Sequence, residues 1–275
     1  MSDDSVRRDA LGVVHPVAGA DARIVSLVPS LTELLFALGL GSQVVGRTGF
    51  CIHPRNAVRR VRKVGGTKDV ALDKVVALAP THVIVNIDEN RRETFDALAT
   101  KVAQVIVTHP LAPDDNLQLY RMFGAIFSRE RQADALAARY VAARDALLDA
   151  VSAVPDQKVL YLIWREPWYT VARSTYVSAM LALARWQTVP AISVPRYPTL
   201  AEDAPAWREA ERILLSTEPY AFTDRHVDAL AAELASRGHR VPVTLVDGAM
   251  TSWYGPRAIA GLDYLAQMRR GLEAV

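Results

Sequence analysis

The sequence predicts an α/β protein built as two lobes with parallel sheets. Three observations predict it. Apolar runs of strand length alternate with helical patterns along most of the 275 residues. The same order, a strand leading into a helix and then a strand, recurs in both halves, at His82-Val-Ile-Val-Asn and at Arg212-Ile-Leu-Leu-Ser. Between the halves, residues 114–153 are rich in Ala, Leu and Arg, lack proline and carry apolar residues at helical spacing.

Taken in order, residues 1–21 read as a flexible N-terminal arm. The first lobe spans 22–128, with strands at 24–28, 44–46, 82–86 and 104–108 and helices at 31–38, 70–79 and 91–100. Ser30 and Glu33 have the spacing of a capping box, so a helix should begin where the first strand ends. Its N–H groups would then face the crevice in which open α/β sheets bind ligands. Pro29-Ser30 stands where a dinucleotide fold would carry glycines, which points to backbone lining a larger ligand. Asp69 is expected to start the second helix, and Asp88-Glu89-Asn90 to cap the third. Residues 129–153 form the linker, one helix of roughly 36 Å at 1.5 Å per residue, with a break or N-cap at Ser128-Arg129-Glu130. The second lobe spans 154–275, with strands at 159–163, 212–215 and 243–246 and helices at 176–184, 224–236 and 257–270. Ser174-Thr175 and Gly255-Pro256 mark two of these helix starts.

Composition excludes several classes. A net charge of +2 leaves no electrostatic footprint for nucleic acid. The basic run Arg59-Arg60-Val61-Arg62-Lys63 reads as a solvated turn. One cysteine, Cys51, rules out an internal disulfide. No apolar run is long enough to span a membrane. The polar start shows no secretory signal, so the chain reads as cytoplasmic, or as periplasmic if a signal has been removed.

Candidate site residues lie in the loops after strand C-terminal ends. The first lobe offers Pro29, Ser30, Phe50, Cys51, His53, Asp88, Glu89 and His109. The second offers Trp164, Glu166, Trp168, Tyr169, Arg173, Arg196, Tyr197, Trp253 and Tyr254. The indoles and phenols suit a flat conjugated ligand; the alternative is packing beneath loops. Arg173, Arg196 and Arg257 can pair with ligand carboxylate or phosphate, or serve structure. Cys51 and His53, two apart on a strand, would face one side and could share a soft metal or form a nucleophile pair. The alternative is a buried thiol and a turn histidine. Glu166 is either a polar acceptor or a solvated carboxylate.

Several motifs carry a resemblance: Ser26-Leu-Val-Pro-Ser-Leu-Thr-Glu-Leu34, Gly65-Gly66-Thr67, Leu72-Asp-Lys-Val-Val-Ala-Leu-Ala-Pro-Thr-His-Val-Ile-Val85 and Val246-Asp-Gly-Ala-Met-Thr-Ser-Trp-Tyr-Gly-Pro-Arg257. Over residues 22–272 the chain resembles the helical-backbone class of periplasmic substrate-binding proteins, which serve importers of cobalamin and ferric siderophores. The resemblance implies two Rossmann-like α/β lobes joined by one long helix, with a ligand cleft between lobes. It implies a monomer that binds a corrinoid first, or a ferric siderophore second, with no obligatory cofactor and no catalysis. It also implies an ABC permease partner, docked through Asp73 and Asp203, each one methylene shorter than the Glu usual there. Thr67 stands where cobalamin binders place an aromatic. The competing expectation is a cytoplasmic metal-handling or thiol-dependent enzyme on the same fold, using Cys51 and His53.

Overall fold

A computed structural model of the chain describes residues 3–273. It divides into two compact units. The first takes the chain up to Pro110, then Asp114–Tyr140 and Tyr254–Pro256; the second takes Leu111–Pro113, Val141–Trp253 and the chain from Arg257 onward.

The first unit opens with a helical turn, α1 (Asp3–Val6). There follow β1 (Ile24–Ser26), α2 (Pro29–Ala37), β2 (Val44–Arg47), α3 (Arg55–Val58), β3 (Arg62–Lys63), α4 (Leu72–Ala77), β4 (His82–Asn86), α5 (Arg92–Ala99), β5 (Gln104–Thr108) and α6 (Asp115–Phe127). The five strands form one parallel sheet in the order β3-β2-β1-β4-β5. The chain leaves β1 toward β2 on one side and returns on the other as β4. That reversal makes β1/β4 the topological switch point, where the strand C-terminal ends are left uncovered. Both faces of the sheet are buried, as parallel pairing requires. Val25, Leu27, Val83, Val85 and Val107 pack one face, and Ile24, Ile84 and Ile106 are fully buried as well. Each such side chain stabilises the fold by roughly 1.5–3 kcal/mol.

Helix starts differ from the capping signals in the sequence. Val28 is the N-cap of α2 and Pro29 its first residue, so Ser30 sits inside the helix and caps nothing. Helix α4 begins at Leu72, not after Asp69, because the preceding backbone is committed to a turn: Gly66 N–H donates to Asp69 O and Ala71 N–H to Val64 O. Gly65 makes that turn at φ +113°, where a Cβ would lie 2.5 Å from Asp69 O. Asp88-Glu89-Asn90 does not cap α5, whose N-cap is Arg91; the Asn86 side chain holds these residues in a turn by accepting from Asp88 and Glu89 N–H. Ser128 ends α6 in the left-handed region, and α7 (Glu130–Ala150) starts just beyond it.

The second unit contains β6 (Gln157–Trp164), β7 (Trp168–Thr170), α8 (Tyr176–Leu183), β8 (Trp186–Thr188), β9 (Thr199–Leu200), α9 (Ala206–Glu209), β10 (Arg212–Ser216), α10 (Asp224–Ser236), β11 (Val243–Val246), α11 (Gly248–Ser252) and α12 (Arg257–Glu273). The sheet order is β11-β10-β6-β7-β9, with β8 pairing β6 as well. β11, β10, β6 and β8 run parallel, while β7 is antiparallel to both β6 and β9. The antiparallel addition was not legible because β7 and β9 are too short to show a period. Thr175 caps α8 by accepting from Ser178 N–H, as its position before Tyr176 suggests.

The N-terminal segment is not a loose arm. Asp9 and His15 are both buried. Asp9 Oδ2 accepts from Val107 N–H and lies 3.1 Å from His15 Nε2, while His15 Nδ1 lies 2.8 Å from Gln104 Oε1. Ala10 N–H donates to Val107 O and Ala18 N–H to Ile126 O. Burial opposes the charge on each member of the pair, but hydrogen bonding outweighs it: the carboxyl is held below its usual range and the imidazole above its own. Nearby His82 behaves oppositely. Burial, aided by the charge of His15, lowers it to about 4 and keeps it neutral.

These directions fix a pH window. His15 contributes stability fully below its unfolded value of about 6.5 and loses it as pH rises through its raised native value. Asp9 contributes above about 3.9 and loses it as pH falls through its lowered native value. Asp9→Asn should therefore cost about 3 kcal/mol at pH 5.5. The gap to wild type in calorimetric melts should narrow toward alkaline pH.

Candidate functional site

Each unit presents a face at its strand C-terminal ends, and each is built by its own local chemistry. In the first unit, β1 runs into α2 through only Leu27 and Val28, which sets Pro29 and Ser30 at the strand's end; both are buried. The Thr32 hydroxyl lies 2.9 Å from both Ser26 Oγ and Val28 O, and 3.0 Å from Cys51 Sγ. Asn90 ties three loops together. Its Nδ2 donates to Leu27 O and Thr67 O, and its Oδ1 accepts from Asn86 N–H. Around this frame Phe50, Ile52 and Ile87 stand exposed, Phe50 at 63%. His53 and Thr67 are half-buried nearby in sequence. At the β4 and β5 ends, Asp88 and His109 approach to 3.5 Å.

Cys51 does not sit on a strand with His53. Residues 51–53 are irregular. The thiol is fully buried, between Thr32 Oγ1 and Thr48 Oγ1 at 3.0 and 3.2 Å. Burial pushes its pKa up, so it is neither thiolate nor exposed. Among the described residues no group of three His, Cys, Asp or Glu could hold a metal ion.

Tyr254 belongs to the first unit, not to the second lobe's loop. Its hydroxyl donates to Glu89 Oε1 at 2.6 Å. Burial first, then the Glu89 charge, raises its pKa well above 10. The Ser30 hydroxyl acts in the opposite sense and lowers it. Gly255 N–H donates to Asn116 Oδ1, and Tyr120 Oη donates to Gly255 O, fixing this short stretch.

In the second unit Trp164 ends β6, is 41% exposed and sets its edge on Tyr220 at 5.4 Å. Tyr197 is exposed in the loop before β9, and the same loop carries Ile192 and Val194 at 90% and 97% exposure. The sequence reading missed both, because isolated aliphatics between prolines carry no periodic signal. Trp168 is not an open-loop aromatic. It stacks on Phe222 at 6.1 Å, meets Trp207 edge-on at 5.7 Å and packs against the unit's core. Tyr169 is half-buried in β7, held opposite Trp164 and Thr199 by strand register. Glu166 is solvated, with Arg165 Nε at 3.3 Å. Arg173 donates to Thr188 O and Arg196 to Ser174 O, so both brace the loop. Arg257 lies over the Trp253 ring at 5.2 Å. Asp73, in the first turn of α4, and Asp203, ahead of α9, are exposed.

Loops at the C-terminal ends of parallel strands, with apolar side chains held outward by buried polar frames, define a binding protein of the α/β class. The chain belongs to the periplasmic binding protein family, which it matches over residues 24–233. Members of that family bind solutes and are not enzymes, and they carry ligands rather than obligatory cofactors.

Relatives are similar along most of their length. The chain is 28% identical to an uncharacterized ABC transporter substrate-binding lipoprotein, YvrC, of Bacillus subtilis, over 89% of this chain and 79% of that protein. It is 24% identical to a vitamin B12-binding protein of Photorhabdus laumondii, over 74% and 73%. Among solved structures, the periplasmic vitamin B12 binding protein BtuF of Vibrio cholerae shares the fold with a TM-score of 0.78 at 16% identity, covering 90% of this chain and 96% of that one. The periplasmic heme-binding protein RhuT from Roseiflexus does so with a TM-score of 0.76 at 24% identity, covering 91% and 98%.

The burial of Cys51 sets an expected outcome. A thiol reagent at pH 7.5 should modify the native protein at least about a hundredfold more slowly than the urea-unfolded chain. Equal rates would put the sulfur at the surface.

Proposed function

We propose that the protein is the substrate-binding component of an ABC importer and that it captures a corrinoid such as cobalamin. The carrying observation is that aromatic and aliphatic side chains stand exposed where strands end in each unit: Phe50, Ile52 and Ile87 in the first and Trp164 in the second, with Tyr197 exposed in the loop before β9. Such side chains are costly in water and typical of pockets for large conjugated ligands. Family membership and the B12-binding relatives support the same reading. The ligand-contacting set on this view is Phe50, His53, Trp164, Tyr169, Tyr197 and Trp253, with Arg173 and Arg196 toward ligand carboxylate or amide groups; Pro29 is buried and drops out. Cys51 and Trp168 drop out because burial commits them to packing. Asp73 and Asp203 are free to meet cationic groups of a permease, since both carboxylates are exposed.

An iron complex, haem or a ferric siderophore, is the second reading. The observation favouring it is His53, whose imidazole is half-buried in the loop that also exposes Phe50 and Ile52.

Titration with cyanocobalamin and, separately, with haemin should separate these readings. Cobalamin is expected to quench indole fluorescence, and Phe50→Ala and Trp164→Ala should each weaken binding by about tenfold. Haemin binding without cobalamin binding moves the assignment to the second reading. No heat or quench with either at millimolar ligand ends the corrinoid and haem readings.

A further inference from the structure

The Trp253 indole is held on two sides by its own unit. Its Nε1–H donates to Glu218 Oε2 at 2.9 Å, and the Arg257 guanidinium lies 5.2 Å from the ring centroid. Glu218 is itself fixed. It follows β10 by two residues, and the Ser216 hydroxyl at the strand end lies 2.6 Å from Glu218 O and 3.3 Å from Glu218 N. Ser216 Oγ accepts in turn from the buried Tyr161 hydroxyl, which also meets Thr251 Oγ1 at 2.6 Å. Thr251 is on α11, the helix that leads into Trp253.

The close approach of α11 to β10 is demanded by a glycine. A Cβ on Gly248 would lie 2.5 Å from Ser216 Oγ and 2.7 Å from Glu218 N. The chain from Ser216 to Glu218 and the chain from Gly248 to Trp253 are therefore locked to each other through buried hydroxyls. The Glu218 carboxylate is the last link, reaching the one polar atom of the indole. Nothing in the sequence singled out Glu218, since Thr217-Glu218-Pro219 reads as an ordinary turn.

We propose that Glu218 is a positioning residue for ligand recognition: it fixes the Trp253 ring in one orientation before the ligand arrives. This rests on the reading that Trp253 belongs to the ligand-contacting set. Holding a large aromatic in place ahead of binding removes the cost of ordering it afterwards and so raises affinity. It also narrows the range of ligands, because a fixed plane accepts one ring tilt. Arg257 supplies the second constraint: it covers the indole ring and draws the Glu218 carboxylate electrostatically, which opposes the effect of burial on that group.

The test is a double-mutant cycle with cyanocobalamin and haemin as probes, read together with the ¹⁹F signal of 5-fluorotryptophan at position 253. Glu218→Ala should weaken the ligand that binds wild type by about tenfold and split or broaden the Trp253 resonance in the unliganded protein. Glu218→Gln still offers an oxygen to the indole N–H and should recover most of both. In a Trp253→Phe background, which lacks the N–H, Glu218→Ala should add little. Additive losses in the cycle, or an unchanged resonance in Glu218→Ala, overturn the proposal. If Trp253→Ala leaves affinity unchanged, Trp253 leaves the ligand-contacting set and the positioning role falls with it, while the importer reading stands. If no probe binds wild type, the ligand reading fails, and a resonance that still shifts in Glu218→Ala and returns in Glu218→Gln upholds the clamp by itself.

Discussion

The constraint on which the rest depends is hydrogen-bonded pairing on both sides of one central strand in each unit. β1 is hydrogen-bonded to β2 and β4, and β6 to β10 on one side and to β8 and β7 on the other. A parallel strand can be continued only through a crossover that returns along a sheet face. When the crossovers from a central strand go in opposite directions, the loops at its C-terminal end are pushed apart. In the first unit the loop face at the strand ends is thus a by-product of topology, and the side chains placed there could vary without touching the sheet.

Each face is nonetheless tied down by buried polar side chains, and the means differ. In the first unit an amide side chain, Asn90, satisfies backbone groups from three loops at once. In the second, hydroxyls do the same work through Tyr161, Ser216 and Thr251. Buried polar groups of this kind are costly when left unsatisfied and specific when paired. That is why outward-facing Phe50 and Trp164 can stand in water without the loops collapsing over them.

The sheets were legible in the sequence because buried parallel strands are continuous apolar runs. His82–Asn86, Gln104–Thr108 and Val243–Val246 have the bounds that their residues suggest. Short elements with no room for a period, such as β7, β9 and α11, were not. Capping signals were the least reliable guide. Ser30 and Asp69 have the right chemistry for a helix start, but proline preorganisation in one case and a glycine turn in the other decided the geometry. At the faces, residue type singled out loops but not side-chain direction. Trp168 and Trp164 are four residues apart and equally aromatic, yet one is core and the other surface, because only the first begins a strand that packs on Phe222. Cys51 and His53 illustrate the same limit, since their shared face existed only if the segment were extended.

The N-terminal segment has a further consequence. β5 is the outermost strand of its sheet, and an outermost strand offers unpaired amides and carbonyls to any other chain. Here Ala10 and the Asp9 carboxylate occupy the Val107 carbonyl and amide. A side-chain oxygen that substitutes for a neighbouring strand's backbone terminates the ladder there. That edge is thereby closed at Val107 to pairing with another chain, and half of the closure comes from a single carboxyl group.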